Sequence, residues 1–147
     1  MRQIKFILLV VGLCFTTSVW AQCFINVIPV NFGSFDNLNA PVDANGQVGV
    51  RCDLPAQVSI QLDAGVNSTG LFQQRKLSAS VSQKLNYNLY VDSARVLVWG
   101  DGTGGTQTVS GTAGSNWLNF PIYGRINSGQ TGSVGTYVDT ITVSVIW

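Results

Sequence analysis

The sequence predicts an all-β fold, a β-sandwich contained in one domain. Apolar residues recur at every second position in segment after segment, which is the period of a half-buried strand. Connections rich in glycine and asparagine separate these runs at spacings typical of sandwiches. No run has the apolar spacing of a helix longer than one turn, and 147 residues allow a single hydrophobic core.

Residues 1–21 are predicted to be a signal peptide. Two basic residues give a positive start, an unbroken apolar run spans residues 6–15, and Ala21 ends a segment suited to cleavage. The alternative is a transmembrane anchor. It is disfavoured because this run would rise only about 15 Å as a helix, half of the roughly 30 Å of hydrocarbon in a bilayer. The sequence therefore predicts an exported chain without membrane insertion, whose domain spans residues 22–147.

The charged residues restrict the function. They make up only 10% of the chain, all 7 acidic residues are aspartate, and neither histidine nor glutamate occurs. The commonest general acid or base and the commonest metal ligand are therefore absent from the sequence. A net charge of +1 provides no basic surface for nucleic acid. The sequence predicts no catalytic residue, no metal or cofactor site, and no enzymatic activity.

The strands are predicted in order from the alternation. The first spans residues 24–32, with Phe24, Ile28 and Phe32 on its apolar face and Pro29 keeping part of it at an edge. Further runs follow at residues 48–52, 58–62, 75–80, 85–91, 95–99 and 118–122. The predicted connections are residues 37–46, 65–70, 100–116 and 127–135.

The last predicted strand, residues 137–147, carries the strongest functional signal. One face holds Tyr137, Asp139, Ile141, Val143, Val145 and Trp147. No lysine, proline or bulge signal blunts its edge in the way that natural edge strands are normally protected. Either an earlier strand flanks it on both sides, or a strand from another polypeptide completes the sheet.

The cysteines predict a structural disulfide. Cys14 lies in the predicted signal peptide, which leaves Cys23 and Cys52 as an even pair in an exported chain. In the chain-entropy model such a bond contributes about 3.5 kcal/mol. A redox or catalytic thiol would need an activating histidine or a CxxC spacing, and the sequence has neither.

Ordered motifs connect the sequence to a known family. From Cys23 to Trp147 it resembles the spore coat protein U domain, the fold of subunits in archaic (Csu-type) chaperone-usher pili. The motifs are VNFGSFD at 30–36, GQVGVRC at 46–52, LDAG at 62–65, LNYNLYVD at 85–92, WGDGTG at 99–104, YGRI at 123–126 and GTYVDT at 135–140.

The resemblance implies an immunoglobulin-like sandwich that lacks its last strand. In such pili a periplasmic chaperone lends a strand, and a neighbouring subunit's amino-terminal segment then replaces it, which is donor-strand complementation. The implied acceptor groove contains Ile141, Val143, Val145 and Trp147 together with the apolar face of the first strand. The implied partners are the pilus chaperone, the usher and other subunits, and the implied location is a surface pilus reached through the bacterial periplasm.

The start of the predicted mature chain bears on its place in a fibre. Polymerising family members carry a donor extension before the first cysteine, whereas only Gln22 precedes Cys23 here. The resemblance therefore implies a tip or minor subunit that accepts a strand. The alternative is a self-contained secreted coat or biofilm-matrix protein completed by its own strands.

Three residues are candidates for adhesion to surfaces. Leu71, Phe72 and Trp117 lie in segments rich in glycine, serine and asparagine, where apolar side chains at exposed loop tips could touch a surface. The alternative is that they fold back onto the core.

Overall fold

The computed structural model describes residues 21–34 and 38–147. Their strands are β1 (Cys23–Ile28), β2 (Val42–Cys52), β3 (Ala56–Leu62), β4 (Lys76–Ser78), β5 (Lys84–Tyr90), β6 (Val109–Ala113), β7 (Leu118–Ile126) and β8 (Val143–Ile146). A 3₁₀ turn at Phe72–Gln74 precedes β4. The predicted signal peptide, apart from Ala21, lies outside the described residues. Within those described, no helix is long and apolar enough to span a membrane.

Two antiparallel sheets form the fold and confirm the predicted all-β sandwich. One has the strand order β1-β2-β7-β5-β4, and the other has the order β6-β3-β8. The longest ladder joins β2 to β7, from Val42 opposite Ile126 to Val50 opposite Leu118. β1 and β8 are therefore edge strands, each of a different sheet.

The hydrophobic core lies between the two sheets. Alternate residues of β3 are buried, as the period of two predicts, and the same holds along much of β7. Trp99 is fully buried and its indole N–H donates to the carbonyl oxygen of Ile60 at 3.1 Å. Fully buried side chains include Val48, Val50, Val58, Ile60, Leu62, Leu85 and Ile126.

A buried arginine connects the two sheets. The guanidinium of Arg75 donates to the carbonyl oxygens of Asp63 and Trp99 and to Oδ1 of Asn88, the last two at 2.8 Å. Asp63 follows β3 and Asn88 lies in β5, so the contacts cross from one sheet to the other. Burial lowers the pKa of Arg75 because desolvation disfavours the charged form. The sequence predicted only a strand over residues 75–80, and this role of Arg75 was not predicted.

The predicted disulfide between Cys23 and Cys52 is present in the structure. The two cysteines are directly opposite each other in the ladder of β1 with β2, so the bond fixes the register of this pair. Beside it the Asp53 carboxylate accepts the backbone N–H of Gln22 at 2.7 Å, and Asp53 donates its own N–H to the Gln22 carbonyl.

The continuous apolar face predicted for residues 24–32 is wrong. In β1 the residues opposite buried Val50 and Val48 are Ile25 and Val27, so Phe24 and Ile28 point to the outer face. After Pro29 the phase changes, and Val30 and Phe32 pack against the core.

Two glycines explain this change of phase. A Cβ atom at Gly46 would lie 2.6 Å from the carbonyl oxygen of Ile28, and one at Gly124 would lie 2.7 Å from Cγ1 of Val30. The chain after β1 therefore crosses the inner faces of β2 and β7, where only glycine leaves room for it.

Three other boundaries differ from the prediction. β2 begins at Val42, inside a predicted connection, and β6 forms within the predicted connection at 100–116. Residues 95–99 form a loop with isolated bridges instead of a strand. Their sequences have weak or misleading strand signals, and the long ladders with β7 and β3 decide which segments become strands.

The last strand is shorter than predicted because the chain changes partner along it. Val138 pairs with Ser78 of β4, in the five-stranded sheet. The carbonyl oxygens of Thr140 and Thr142 then accept N–H groups from the segment after β3. Only Val143–Ile146 pairs with β3 as a regular strand.

Substitution of Gly46 tests the crossing of the chain. Gly46→Ala places a Cβ against the Ile28 carbonyl and should lower the free energy of unfolding by about 1–3 kcal/mol. Gly114→Ala is the matched control, because a Cβ there meets no atom within 4 Å. Urea denaturation of both variants measures the difference, and equal midpoints would contradict this account of the glycine.

Candidate functional site

A groove of about 1130 Å³ runs along one side of the sandwich. One wall is the segment of residues 29–34 that follows β1, and the other is the segment leading into β8. Core residues of both sheets form the floor. Its apolar lining includes Val27, Phe32, Leu62, Leu89, Ile122, Ile141 and Val143.

Both walls of the groove present unpaired backbone. β8 continues the second wall from Val143 onward; it pairs with β3 on one side, and no described strand pairs with its other side. Residues 29–34 make no backbone-to-backbone hydrogen bond with any described residue. Edges of this kind are templates for another strand. One extended segment lying in the groove could therefore pair with both walls at once.

Of the four residues predicted for the acceptor groove, two line it and two lie beyond it. Ile141 and Val143 line the groove, and Val145 packs against the core beyond it. Trp147 is 55% exposed, and its indole N–H donates to the carbonyl oxygen of Ala21 at 2.9 Å. This contact joins the end of the last strand to the residues just before β1.

The other end of the groove contains a polar cluster that was not predicted from the sequence. The Tyr87 hydroxyl donates to Oδ2 of Asp139 at 2.7 Å, and the Asn67 side chain donates to Oδ1 at 3.0 Å. Burial, followed by this hydrogen bond, raises the pKa of Tyr87 far above its usual range. The cluster ties the segment that leads into β8 to β5 of the five-stranded sheet. The only signal in the sequence was an aspartate on an otherwise apolar face.

The candidate adhesive residues do not form one surface. Trp117 precedes the first residue of β7. The Phe72 carbonyl accepts a hydrogen bond from Asn88, which is paired with Arg125 near the other end of β7. Seven residues of strand separate the two places by roughly 23 Å.

These residues also differ in exposure. Leu71 is 53% exposed and Trp117 is 44% exposed, whereas Phe72 is partly buried with the Arg75 guanidinium carbon 5.6 Å from its ring centroid. A role for the three residues in adhesion stays a prediction.

The arrangement is suited to binding by backbone pairing. Within the described ranges, no group of three or more histidine, cysteine, aspartate or glutamate residues could hold a metal ion. The groove is lined mainly by apolar side chains and by free strand edges, which bind an extended polypeptide through hydrogen bonds and alternate side chains.

Two packed antiparallel sheets with an open side between their edge strands define the class as an immunoglobulin-like β-sandwich. A sequence profile of the Spore Coat Protein U domain matches residues 10–144. The chain belongs to this family, which confirms the resemblance found in the sequence.

Two relatives illustrate the similarity. "Protein U" of Myxococcus xanthus is 29% identical over 129 residues, which is 79% of this chain and 70% of that protein. A chain in the crystal structure of the CsuC-CsuE chaperone-tip adhesion subunit pre-assembly complex, from archaic chaperone-usher Csu pili of Acinetobacter baumannii, superposes with a TM-score of 0.62 at 25% identity. The match covers 88% of this chain but only 40% of that chain.

The Tyr87 contact predicts a loss of stability in alkaline solution. The folded-state pKa of Tyr87 lies above the unfolded value of about 10, so its contribution is complete below pH 10 and is lost as the pH rises further. Tyr87→Phe should cost about 1–2 kcal/mol at pH 7 and weaken this alkaline dependence. Part of the alkaline dependence should remain in this variant, because burial also raises the pKa of Tyr90.

Urea denaturation at pH 7 and at pH 10.5 tests this prediction. Tyr137→Phe is the control, because its hydroxyl donates to the Ser133 carbonyl in an exposed position. A Tyr87→Phe variant with the wild-type pH dependence would contradict the assignment.

Proposed function

We propose that this chain is a non-enzymatic subunit of a chaperone-usher surface pilus that accepts a strand from a second polypeptide. The observation that carries the proposal is the apolar groove between two unpaired backbone edges, residues 29–34 and β8. Family membership and the similarity to a chain of a pilus chaperone-subunit complex support it.

The energetics of the groove favour insertion of an extended strand. Ile141, Val143 and Val145 are only partly buried although they pack against the core. Complete burial of such a side chain contributes about 1.5–3 kcal/mol relative to full exposure. A donated strand would cover these side chains and would also provide hydrogen-bond partners for the edge of β8. The unpaired subunit should consequently be unstable or prone to aggregation.

The expected partners follow from this mechanism. A periplasmic chaperone supplies the strand first, the usher receives the complex, and a neighbouring subunit then replaces the chaperone at the cell surface. The structural relative comes from a complex of a chaperone with a tip adhesion subunit, which supports a chaperone partner and a tip or minor position in the fibre.

A self-contained secreted coat or biofilm-matrix protein is the second candidate. The family takes its name from a spore coat protein, which supports this alternative. In that case one of the chain's own segments would occupy the groove.

Dependence on a chaperone distinguishes the two candidates. The full chain is expressed in a bacterial periplasm with and without the chaperone of a Csu-type system, and soluble yield and complex formation are followed by size exclusion. The pilus proposal expects a one-to-one complex and little soluble protein without the chaperone. A stable monomer in the absence of the chaperone would support the secreted coat protein instead.

Substitutions in β8 test the site within the groove. Val143→Asp places a charge on the groove lining and should weaken the chaperone complex by roughly tenfold to a hundredfold. Ser144→Asp is the matched control, since Ser144 is the neighbouring residue and is exposed. Competition binding measures the ratio of the two affinities, and equal weakening by both variants would contradict insertion at this groove.

A further inference from the structure

The outer face of the five-stranded sheet carries two rows of neighbouring residues that run across its strands. Since Val48, Val50 and Cys52 are buried, the alternate residues of β2 point outward. The ladders of β1 and β7 with β2 then place neighbours on either side of these residues. The first row is Phe24 and Arg51, which are paired in the ladder, together with Trp117, the residue before β7, whose ring contacts Arg51. The second row is Asn26, Gly49 and Asn119, which are paired across the three strands.

Arg51 is held between two aromatic rings. Its guanidinium carbon lies 5.0 Å from the Phe24 ring centroid and 5.2 Å from the Trp117 ring centroid. Contacts of this kind with both rings hold the cation in place through its attraction to the aromatic faces.

The charge of Arg51 is otherwise unpaired. Its side chain makes no hydrogen bond or ion pair with any described residue, whereas Arg95 and Arg125 both form ion pairs with Asp43. The nearby Asp53 carboxylate accepts backbone N–H groups of Gln22 and Leu54 instead. Five N–H donors of an exposed guanidinium are thus available to a ligand.

Arg51, its two aromatic neighbours and the residues of the second row form an exposed platform. Phe24 and Trp117 keep 45% and 44% of their surface exposed. A Cβ atom at Gly49 would lie 3.3 Å from Cε3 of Trp117, so the glycine lets the indole lie close to the sheet. The side chains of Asn26 and Asn119 are exposed and make no hydrogen bond with described residues.

We propose that this platform binds an acidic polysaccharide of the polyuronate type. The Arg51 guanidinium matches a sugar carboxylate, with which it can form two parallel hydrogen bonds. The exposed ring surfaces suit the apolar faces of sugar rings, and the two free amides suit sugar hydroxyls. The platform faces away from the core, so it is distinct from the groove and does not depend on strand donation.

The experiment compares a polyuronate with its uncharged methyl ester. Polygalacturonate and its methyl ester are titrated into the purified full chain, or into its chaperone complex, by isothermal titration calorimetry in 0.15 M salt. We expect polygalacturonate to bind at least about tenfold more tightly than the ester, since esterification removes the carboxylate charge that Arg51 pairs with.

Variants locate the binding on the platform. Arg51→Gln should weaken polygalacturonate binding by about tenfold or more. Arg125→Gln makes the same change of charge in the same sheet at a residue already paired with Asp43, and should bind as the wild type does. Asn119→Ala is a second platform variant away from the disulfide, and it should weaken binding by a few-fold.

Three outcomes would overturn the proposal: no binding of polygalacturonate by the wild type, equal binding of the acid and the ester, or equal affinities of Arg51→Gln and Arg125→Gln. Circular dichroism and the intact disulfide confirm that each variant is folded.

Discussion

An open side between the edge strands of two sheets is the constraint on which the rest of the structure depends. β8 has a partner on one side only, and the segment that follows β1 has left its sheet. The sheets must therefore be held together elsewhere. Arg75 does this on the side of β5, and the contact between Asp139 and Tyr87 does it at one end of the groove. The disulfide fixes β1 to β2, so one wall of the groove begins from a fixed point.

Two arginines show how the same side chain serves different purposes in this fold. Arg75 is fully buried, and burial of a cation is costly unless its N–H groups are bonded. Two backbone carbonyl oxygens and the side-chain amide oxygen of Asn88 accept its hydrogen bonds. The buried guanidinium thereby links the two sheets. Arg51 lies on the surface, where two rings hold it and no acceptor in the described chain engages it. The first arginine supports the architecture, and the second is available for recognition.

The groove could be predicted in part. Alternation correctly placed β3, β5 and much of β7, and it put Ile141 and Val143 on an inward face that lines the groove. Alternation failed for the opposite wall, residues 29–34, because the phase of the chain changes at Pro29, where it crosses Gly46 of β2 and Gly124 of β7. It also missed β6, whose small residues become a strand only because β3 pairs with them.

The sequence alone determined the fold class, the family and the disulfide, since these follow from periodicity, ordered motifs and the pair of cysteines outside the predicted signal peptide. The tertiary structure decided where strands end and which side chains meet. A period of two says which residues share a face, but it does not say when a chain leaves one sheet for the other. The crossing at Gly46, the exchange of partners after Val138 and the stacking of Arg51 between Phe24 and Trp117 all depend on neighbours distant in sequence. Such contacts are set by packing in three dimensions, which no local pattern records.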